Sequence, residues 1–292
     1  MNVLQFTSNL ARSCLLSEIN LTPKPGLVDR ENCGAHTDMD YGLFIDSIEA
    51  ISPFFGSFFS CGERTRGASA SDTLSLLRTC GLTCERAMFS ATGGVNTHKG
   101  AIFSLALLCG AVGRLANTKL QCHGFDICNE VSTLCSGIVA RDLGNARHKI
   151  NKTAGEIIYL RYGFAGARGE AESGFATVRK HSLPTYNYAI LNGACKEDAA
   201  LGALLSLMAH NEDTNVICRS GLSGLKFVQA KASDILNTFY SGNFLKFRSE
   251  LRDLDDVFVA RRISPGGSAD LLSVTLFLAH IEAISPERER LC

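Results

Sequence analysis

Gly93, Gly94, Asn96, Thr97, His98 and Lys99 share one polar string, ATGGVNTHKG (91–100), that runs straight into the apolar tract 101–112. Glycines without a Cβ let backbone amides approach a ligand. The side chains of Asn96, Thr97, His98 and Lys99 add donors and one fixed charge, a combination suited to a phosphate. The tract behind them is apolar almost all round and predicts a helix buried on every face, a rigid mount for the loop. The string is neither a Walker A nor a dinucleotide fingerprint, and read alone it is first of all a connection into a core helix.

Polar, glycine-bearing strings recur at 163–175 (GFAGARGEAESGF), 210–221 (HNEDTNVICRSG) and 263–272 (ISPGGSADLL). With 21–36 they bring together Lys24, Arg168 and Arg219 and the carboxylates Glu170, Glu172, Glu212, Asp213 and Asp270. Basic groups beside glycine amides suit a polyphosphate. Carboxylates beside it repel it unless a hard cation lies between, which points to Mg2+. Glu170, Glu172 and Glu212 are also the acidic residues that a helix start favours. Two positions apart on a regular helix, Glu170 and Glu172 diverge by roughly 200°, so both meet one metal only at an irregular helix start.

The elements that must position these strings are helical. Leu4, Leu10, Cys14 and Ile19 mark a first helix, stopped by Pro23 and Pro25, and the polar stretch from Leu27 to Asp40 reads as a loop. Asp40 caps a short helix ending at Pro53, and Ser71 and Asp72 cap another through Met88. Ile127, Val131, Leu134 and Ile138 continue the helical period, and Gly163 stops the next helix. Further helices run through Leu204, through Leu225 to Phe239 and through Phe244 to Leu254, and Ser268 caps the last, which reaches Ile281. No alternating strand pattern occurs, so the expectation is an all-α protein, a single globular domain over 1–292 with its glycine-rich polar loops converging on one cleft.

Composition narrows the function. The 292 residues carry 29 basic and 29 acidic side chains and are 46% hydrophobic, which predicts a sizeable core and neither a nucleic-acid footprint nor a polybasic membrane anchor. No membrane span and no signal peptide are read from the sequence, so a cytoplasmic location is expected. The twelve cysteines include no C-x-x-C pair and read as mostly free, buried thiols; Cys33 and His36 have half of a zinc spacing that no second pair completes.

The strings LTPKPGLVDRENCGAH (21–36), ATGGVNTHKGAIFSLALL (91–108), GARGEAESGF (166–175), NEDTNV (211–216) and SPGGSADLL (264–272) resemble those of the triphosphoribosyl-dephospho-coenzyme A synthase family, in order and over nearly the whole chain. Gly93 stands where alanine is frequent in that family, and Arg219-Ser220-Gly221 where a second glycine is usual. The resemblance implies a transferase that uses ATP and 3'-dephospho-CoA, releases adenine, and makes 2'-(5''-triphosphoribosyl)-3'-dephospho-CoA. That product is the precursor of the citrate lyase prosthetic group, passed to the citrate lyase acyl-carrier transferase, or in a sister branch serves malonate decarboxylase. Neither nucleic acid nor membrane is an expected partner. Ribosyl transfer through an oxocarbenium-like state needs a base, a donor for adenine, and a metal and basic clamp for the triphosphate. On this reading Lys99 and Arg168 are the principal phosphate ligands, with Lys24, Gly93, Gly94, Asn96, Thr97, Arg219 and Ser268 also in the nucleotide site. Glu170 is the base or a metal ligand with Glu172 in reserve, Asp213 and Glu212 are metal ligands, and His98 protonates adenine or contacts phosphate. A Mg2+-dependent nucleotide glycoside hydrolase and a non-catalytic nucleotide-binding regulator are the other readings of the same residues.

Overall fold

Helix α5 (Lys99–Leu115) is the central post, buried on nearly all sides as its apolar sequence predicts. The computed structural model describes residues 2–116 and 123–284. In chain order its helices are α1 (Val3–Asn20), α2 (Tyr41–Ile51), α3 (Pro53–Arg64), α4 (Ala70–Ala91), α5, α6 (Gly124–Leu134), α7 (Ile138–Asp142), α8 (Ala154–Tyr162), α9 (Gly166–Glu172), α10 (Leu183–Leu191), α11 (Lys196–His210), α12 (Thr214–Tyr240), α13 (Phe244–Arg261) and α14 (Gly266–Ile284). A 3-10 turn lies at Gly144–His148 and a π turn at Val178–Ser182. No strand occurs among the described residues, and the protein is all-α.

Two helices organise the core. Around α5 pack α1, α3, α4, α6 and α14; around α11 pack α10, α12 and α14. Helix α14, shared by both groups, is long and apolar enough to cross a membrane, but most of it is buried within the protein. One continuous apolar cluster runs from Leu10 on α1 to Ile281 on α14. The closest pair is α3 with α5, where glycines bring the two backbones together. A Cβ on Gly62 would stand 1.9 Å from the carbonyl oxygen of Gly110, and one on Gly113 2.1 Å from that of Phe59.

Local signals set most helix ends. The side chains of Asp40 and Thr153 accept hydrogen bonds from Leu43 N–H and Glu156 N–H, and Gly163 ends α8 at φ 80°. Four expectations change. Ser69, not Ser71 or Asp72, caps α4, because its hydroxyl reaches the N–H of Asp72. Pro53 does not close a helical region but opens α3, at whose start a missing N–H costs nothing. The period through Ile138 is broken by Gly137 at φ 73°, and α12 begins inside the string expected to be a loop, with Asp213 as its cap.

The α3–α5 contact leaves no space for a methyl group. Gly113→Ala is therefore expected to destabilise the protein by about 1–3 kcal/mol. Gly81, on α4, has nothing within 4 Å of the place a Cβ would take and is the control. Gly81→Ala is expected to stabilise by about 0.5–1 kcal/mol. Urea unfolding of the two variants checks both signs.

Candidate active site

A cavity of about 400 Å3 lies where α5, α9, α12 and α14 begin, closed on one side by the 21–36 loop. Its lining draws on all five polar strings. The loop is pinned from inside by two carboxylates. Asp29 accepts from Thr22 Oγ1 (2.6 Å) and from the N–H groups of Lys24, Glu31 and Asn32, and Asp255 accepts from Gly26 N–H and Asn32 Nδ2, both at 2.7 Å. First-turn residues of α5 (Lys99, Gly100, Ala101), α12 (Thr214, Asn215) and α14 (Gly266, Gly267, Ala269) line the cavity. Helix starts carry N–H groups without intrahelical partners and the positive end of the helix dipole, which together attract anions.

Carboxylates hold these helix starts together. Asp213 Oδ1 accepts from the N–H groups of Asn215 (3.0 Å), Val216 (3.4 Å) and Gly267 (3.3 Å), and its Oδ2 from Ser268 N–H (2.8 Å) and Ser268 Oγ (2.9 Å). The α12 and α14 starts are thereby tied to one side chain. Glycine makes this possible, since a Cβ on Gly267 would stand 2.9 Å from Asp213 Oδ1. Asp270, one turn into α14, reaches the start of α5, accepts from Ala101 N–H and lies where a Cβ on Gly100 would be 2.0 Å from its Oδ2. Burial, then the charges of Asp213 and Glu18, push its carboxyl well above the usual range. Glu170 accepts from Thr177 Oγ1 (2.6 Å) and Thr177 N–H (3.2 Å), and burial raises its pKa despite those bonds, with Glu212 adding to the rise. Burial also raises Glu212.

The cations are mostly paired. Lys24, 1% exposed, holds Glu18 Oε1 at 2.5 Å on the cavity floor. Lys99 reaches out to Glu85 at 2.9 Å. Arg219 donates to the Ala35 carbonyl (3.3 Å) and to His36 Nδ1 (3.1 Å), and His36 Nε2 meets Ser264 Oγ at 2.8 Å. His98 is buried, and burial followed by the charge of Lys24 lowers its pKa to about 3.

Lys24, Asn96, Thr97, His98, Lys99, Glu170, Glu212, Asp213 and Arg219 thus line one cavity. Five expected residues do not. Gly93 and Gly94, at φ 61° and 90°, end α4, with Gly94 N–H donating to the Phe89 carbonyl at 2.8 Å; their work is the helix stop. Arg168 turns to α7, where Asp142 Oδ2 accepts from its Nε at 3.2 Å and from Arg78 at 2.7 Å. Glu172 points to the other side of α9 and accepts from Gly137 N–H, as a two-residue spacing on a regular helix requires. Ser268 lies inside the first turn of α14 rather than capping it, because it donates to Asp213. Asp213 itself has five donors on an acceptor with about four lone-pair sites, which leaves no room for a metal. His98, neutral at pH 7, has no imidazolium proton to give to adenine. Cys33 is exposed and His36 bonded to Ser264, and no three His, Cys, Asp or Glu among the described residues are placed to hold a metal alone.

The family described as CitG: ATP:dephospho-CoA triphosphoribosyl transferase matches residues 5–289. The chain belongs to that family. It is a transferase that uses ATP. It is 46% identical over 275 residues to a probable 2-(5''-triphosphoribosyl)-3'-dephosphocoenzyme-A synthase of Albidiferax ferrireducens, covering 94% of this chain and 90% of the relative. The 2-(5''-triphosphoribosyl)-3'-dephosphocoenzyme-A synthases of Pectobacterium atrosepticum and Klebsiella pneumoniae are 47% and 45% identical, covering 91% and 92% of this chain and 86% and 88% of theirs. No solved structure matches the chain significantly.

Within this triphosphoribosyl transferase the cavity residues given no site role in the sequence are Glu18, His36 and Asp270, the last named there only as one of the converging carboxylates, and Ser47 stands behind the lining against His98. Glu18 and Ser47 lie inside amphipathic helices with no local mark of a site. Asp270 sits in the fifth string, and its signal is Gly100, a glycine in a helix start without positive φ that makes space for the carboxylate.

An acid whose pKa is higher folded than unfolded binds more protons in the folded state. Asp270 therefore makes stability fall as pH rises through the carboxylate range toward its raised pKa. Asp270→Asn, which keeps an oxygen for Ala101 N–H, is expected to raise the melting temperature of the metal-free protein at pH 7–8 while abolishing transfer. The gain vanishes near pH 4, and thermal unfolding across pH measures it.

Proposed function

We propose that the cavity binds ATP and 3'-dephospho-CoA together and joins them as 2'-(5''-triphosphoribosyl)-3'-dephospho-CoA. What carries this reading is the meeting of three helix starts and a set of raised-pKa carboxylates in one cavity of a CitG-family chain. A ribose hydroxyl of the acceptor forms a C–O bond to the anomeric carbon of ATP as the bond from that carbon to adenine breaks; adenine leaves with the electron pair of that bond and takes up one proton from water, matching the one the hydroxyl gives up. The triphosphate stays on the transferred ribose. Glu170 takes the hydroxyl proton, since a carboxylate raised toward neutrality is a better base than an ordinary one. Arg219, with the first-turn N–H groups of α5, α12 and α14 that do not already donate to Asp213, Asp270 or Asn96, faces the phosphates. The whole chain works as one domain in the cytoplasm, its product passing to the citrate lyase acyl-carrier transferase or, in the sister branch, to malonate decarboxylase.

Mg2+ fits this cavity as a companion of the triphosphate rather than as a resident ion. Six carboxylate side chains line it against three basic ones, and Asp270 and Glu212 retain free oxygens. Mg2+ commonly takes one or two carboxylates and completes its shell with phosphates and water. Asp270 or Glu212 would offer it a carboxylate oxygen, and it would neutralise charge between phosphate and carboxylate.

The deciding experiment follows free adenine in mixtures of the protein, ATP and Mg2+ with and without 3'-dephospho-CoA. Adenine released only with the acceptor is the expected result; release without it makes the protein a hydrolase, and no release in either removes the reading. Glu170→Gln is expected to lower kcat by about 10²–10⁴-fold with ATP affinity retained. Arg168→Ala, facing Asp142, is expected to leave the KM for ATP unchanged.

A further inference from the structure

The imidazole of His98 is built into the cavity wall by contacts that none of the proposed chemistry uses. It is 3% exposed, Phe44 packs edge-on against it with ring centroids 4.9 Å apart, and its Nδ1 lies 2.7 Å from Ser47 Oγ. Ser47 is fully buried and makes one other hydrogen bond, received from Thr97 Oγ1 at 2.7 Å. The remaining ring nitrogen, Nε2, is buried without any partner in a residue that lines the cavity.

The protons in this chain can be placed by asking which arrangement leaves a buried group unpaired. Ser47 receives one proton from Thr97 and has one of its own. With Thr97 Oγ1 donating to Ser47, an Nδ1–H that also donated to Ser47 would leave the Ser47 hydroxyl proton without an acceptor, a costly defect in a buried site. If Nδ1 is the acceptor, Thr97 donates to Ser47, Ser47 donates to Nδ1, and every bond is made. The ring proton then sits on Nε2.

We infer that His98 is a neutral hydrogen-bond donor whose Nε2–H, fixed by the Thr97–Ser47 relay, binds an acceptor atom of the nucleotide, either a purine ring nitrogen or a phosphate oxygen. Ser47 is then a positioning residue that acts through the ring. The depressed basicity of His98 agrees, because a ring that stays neutral keeps one nitrogen as donor and the other as acceptor across the working pH range. A neutral imidazole here offers a directed donor without adding a positive charge beside Lys24. The inference rests on the cavity being the nucleotide site.

The test has two arms on the full chain. Long-range 15N–1H NMR of the histidine-labelled protein at pH 7 is expected to show His98 as the Nε2–H tautomer, and Ser47→Ala to shift it toward a mixture; an Nδ1–H ring in the wild type overturns the inference. Calorimetry then compares ATP, adenosine and inorganic tripolyphosphate. His98→Asn, which lacks a donor at the Nε2 position, is expected to weaken ATP about tenfold, and His98→Gln, which retains one, to recover most of that loss. A matching loss for adenosine identifies a purine acceptor, and one for tripolyphosphate a phosphate acceptor. Unchanged ATP binding in His98→Asn overturns this inference alone, whereas a wild type that binds no ATP overturns the functional reading and the ligand assigned here with it.

Discussion

Five hydrogen-bond donors from two helix starts converge on the Asp213 carboxylate, and the cavity exists because they do. Helix starts repel one another, since each presents unpaired N–H groups and the positive end of a dipole. A buried anion between them removes that repulsion and satisfies the donors in the same contact. Asp213 does this for α12 and α14, and Asp270 extends the arrangement to α5 through Ala101 N–H. The glycines are the steric counterpart of these bonds. Gly267 makes space for Asp213 and Gly100 for Asp270, and a methyl group at either position meets a carboxylate oxygen inside 3 Å.

The two aspartates divide one kind of chemistry between them according to how many donors each meets. Asp213, with its lone pairs filled, is structural although it lines the cavity. Asp270, with a single backbone donor and other carboxylates nearby, is left under-compensated and is pushed well above the usual range, whereas burial raises Asp213 against the opposing effect of its donors. Groups held in a state that folding alone does not favour are common where a ligand completes the charge balance. The contrast also explains why α14, otherwise a plain apolar core helix, begins with the sequence GGSAD: two glycines for approach, a serine to donate to Asp213 and an aspartate to reach α5.

Much of this was legible in the sequence. The helical period gave the all-α class and most of the helices, and the polar strings named the segments that border the cavity. Legibility failed where a role is decided by direction. Arg168 and Glu170 share a seven-residue helix, yet one faces Asp142 and the other the cavity, and no property of the string distinguishes them. Gly93 and Gly94 illustrate a second failure: glycine after a helix serves a helix stop as readily as a ligand, and the bond from Gly94 to Phe89 decides for the stop. Glu18 and Ser47 illustrate a third. They reach the site from helices α1 and α2 by tertiary packing alone, and in sequence each is an ordinary polar position.

The charge inventory constrains how a polyphosphate can enter. Lys24 is spent on Glu18 and Lys99 on Glu85, which leaves Arg219, bonded to neutral acceptors, as the cavity-lining cation without an acidic partner among the described residues. A buried Lys–Glu pair contributes little net field, because each charge cancels the other at the distance of a ligand. On the proposed function, attraction of the triphosphate falls to Arg219 and to the first-turn N–H groups that do not already donate to Asp213, Asp270 or Asn96, against an acidic lining. The helix starts are fixed in place by Asp213 and Asp270 before any ligand arrives, so the dipoles they present lose little on reorganisation, which is the condition under which dipoles outperform mobile side chains. On that reading a triphosphate entering as a complex with its own divalent cation would meet the carboxylates as ligands, whereas a bare one would meet the same carboxylates as like charges. The proposed site would thus favour the metal complex of the nucleotide through residues whose first task is to hold the helices together.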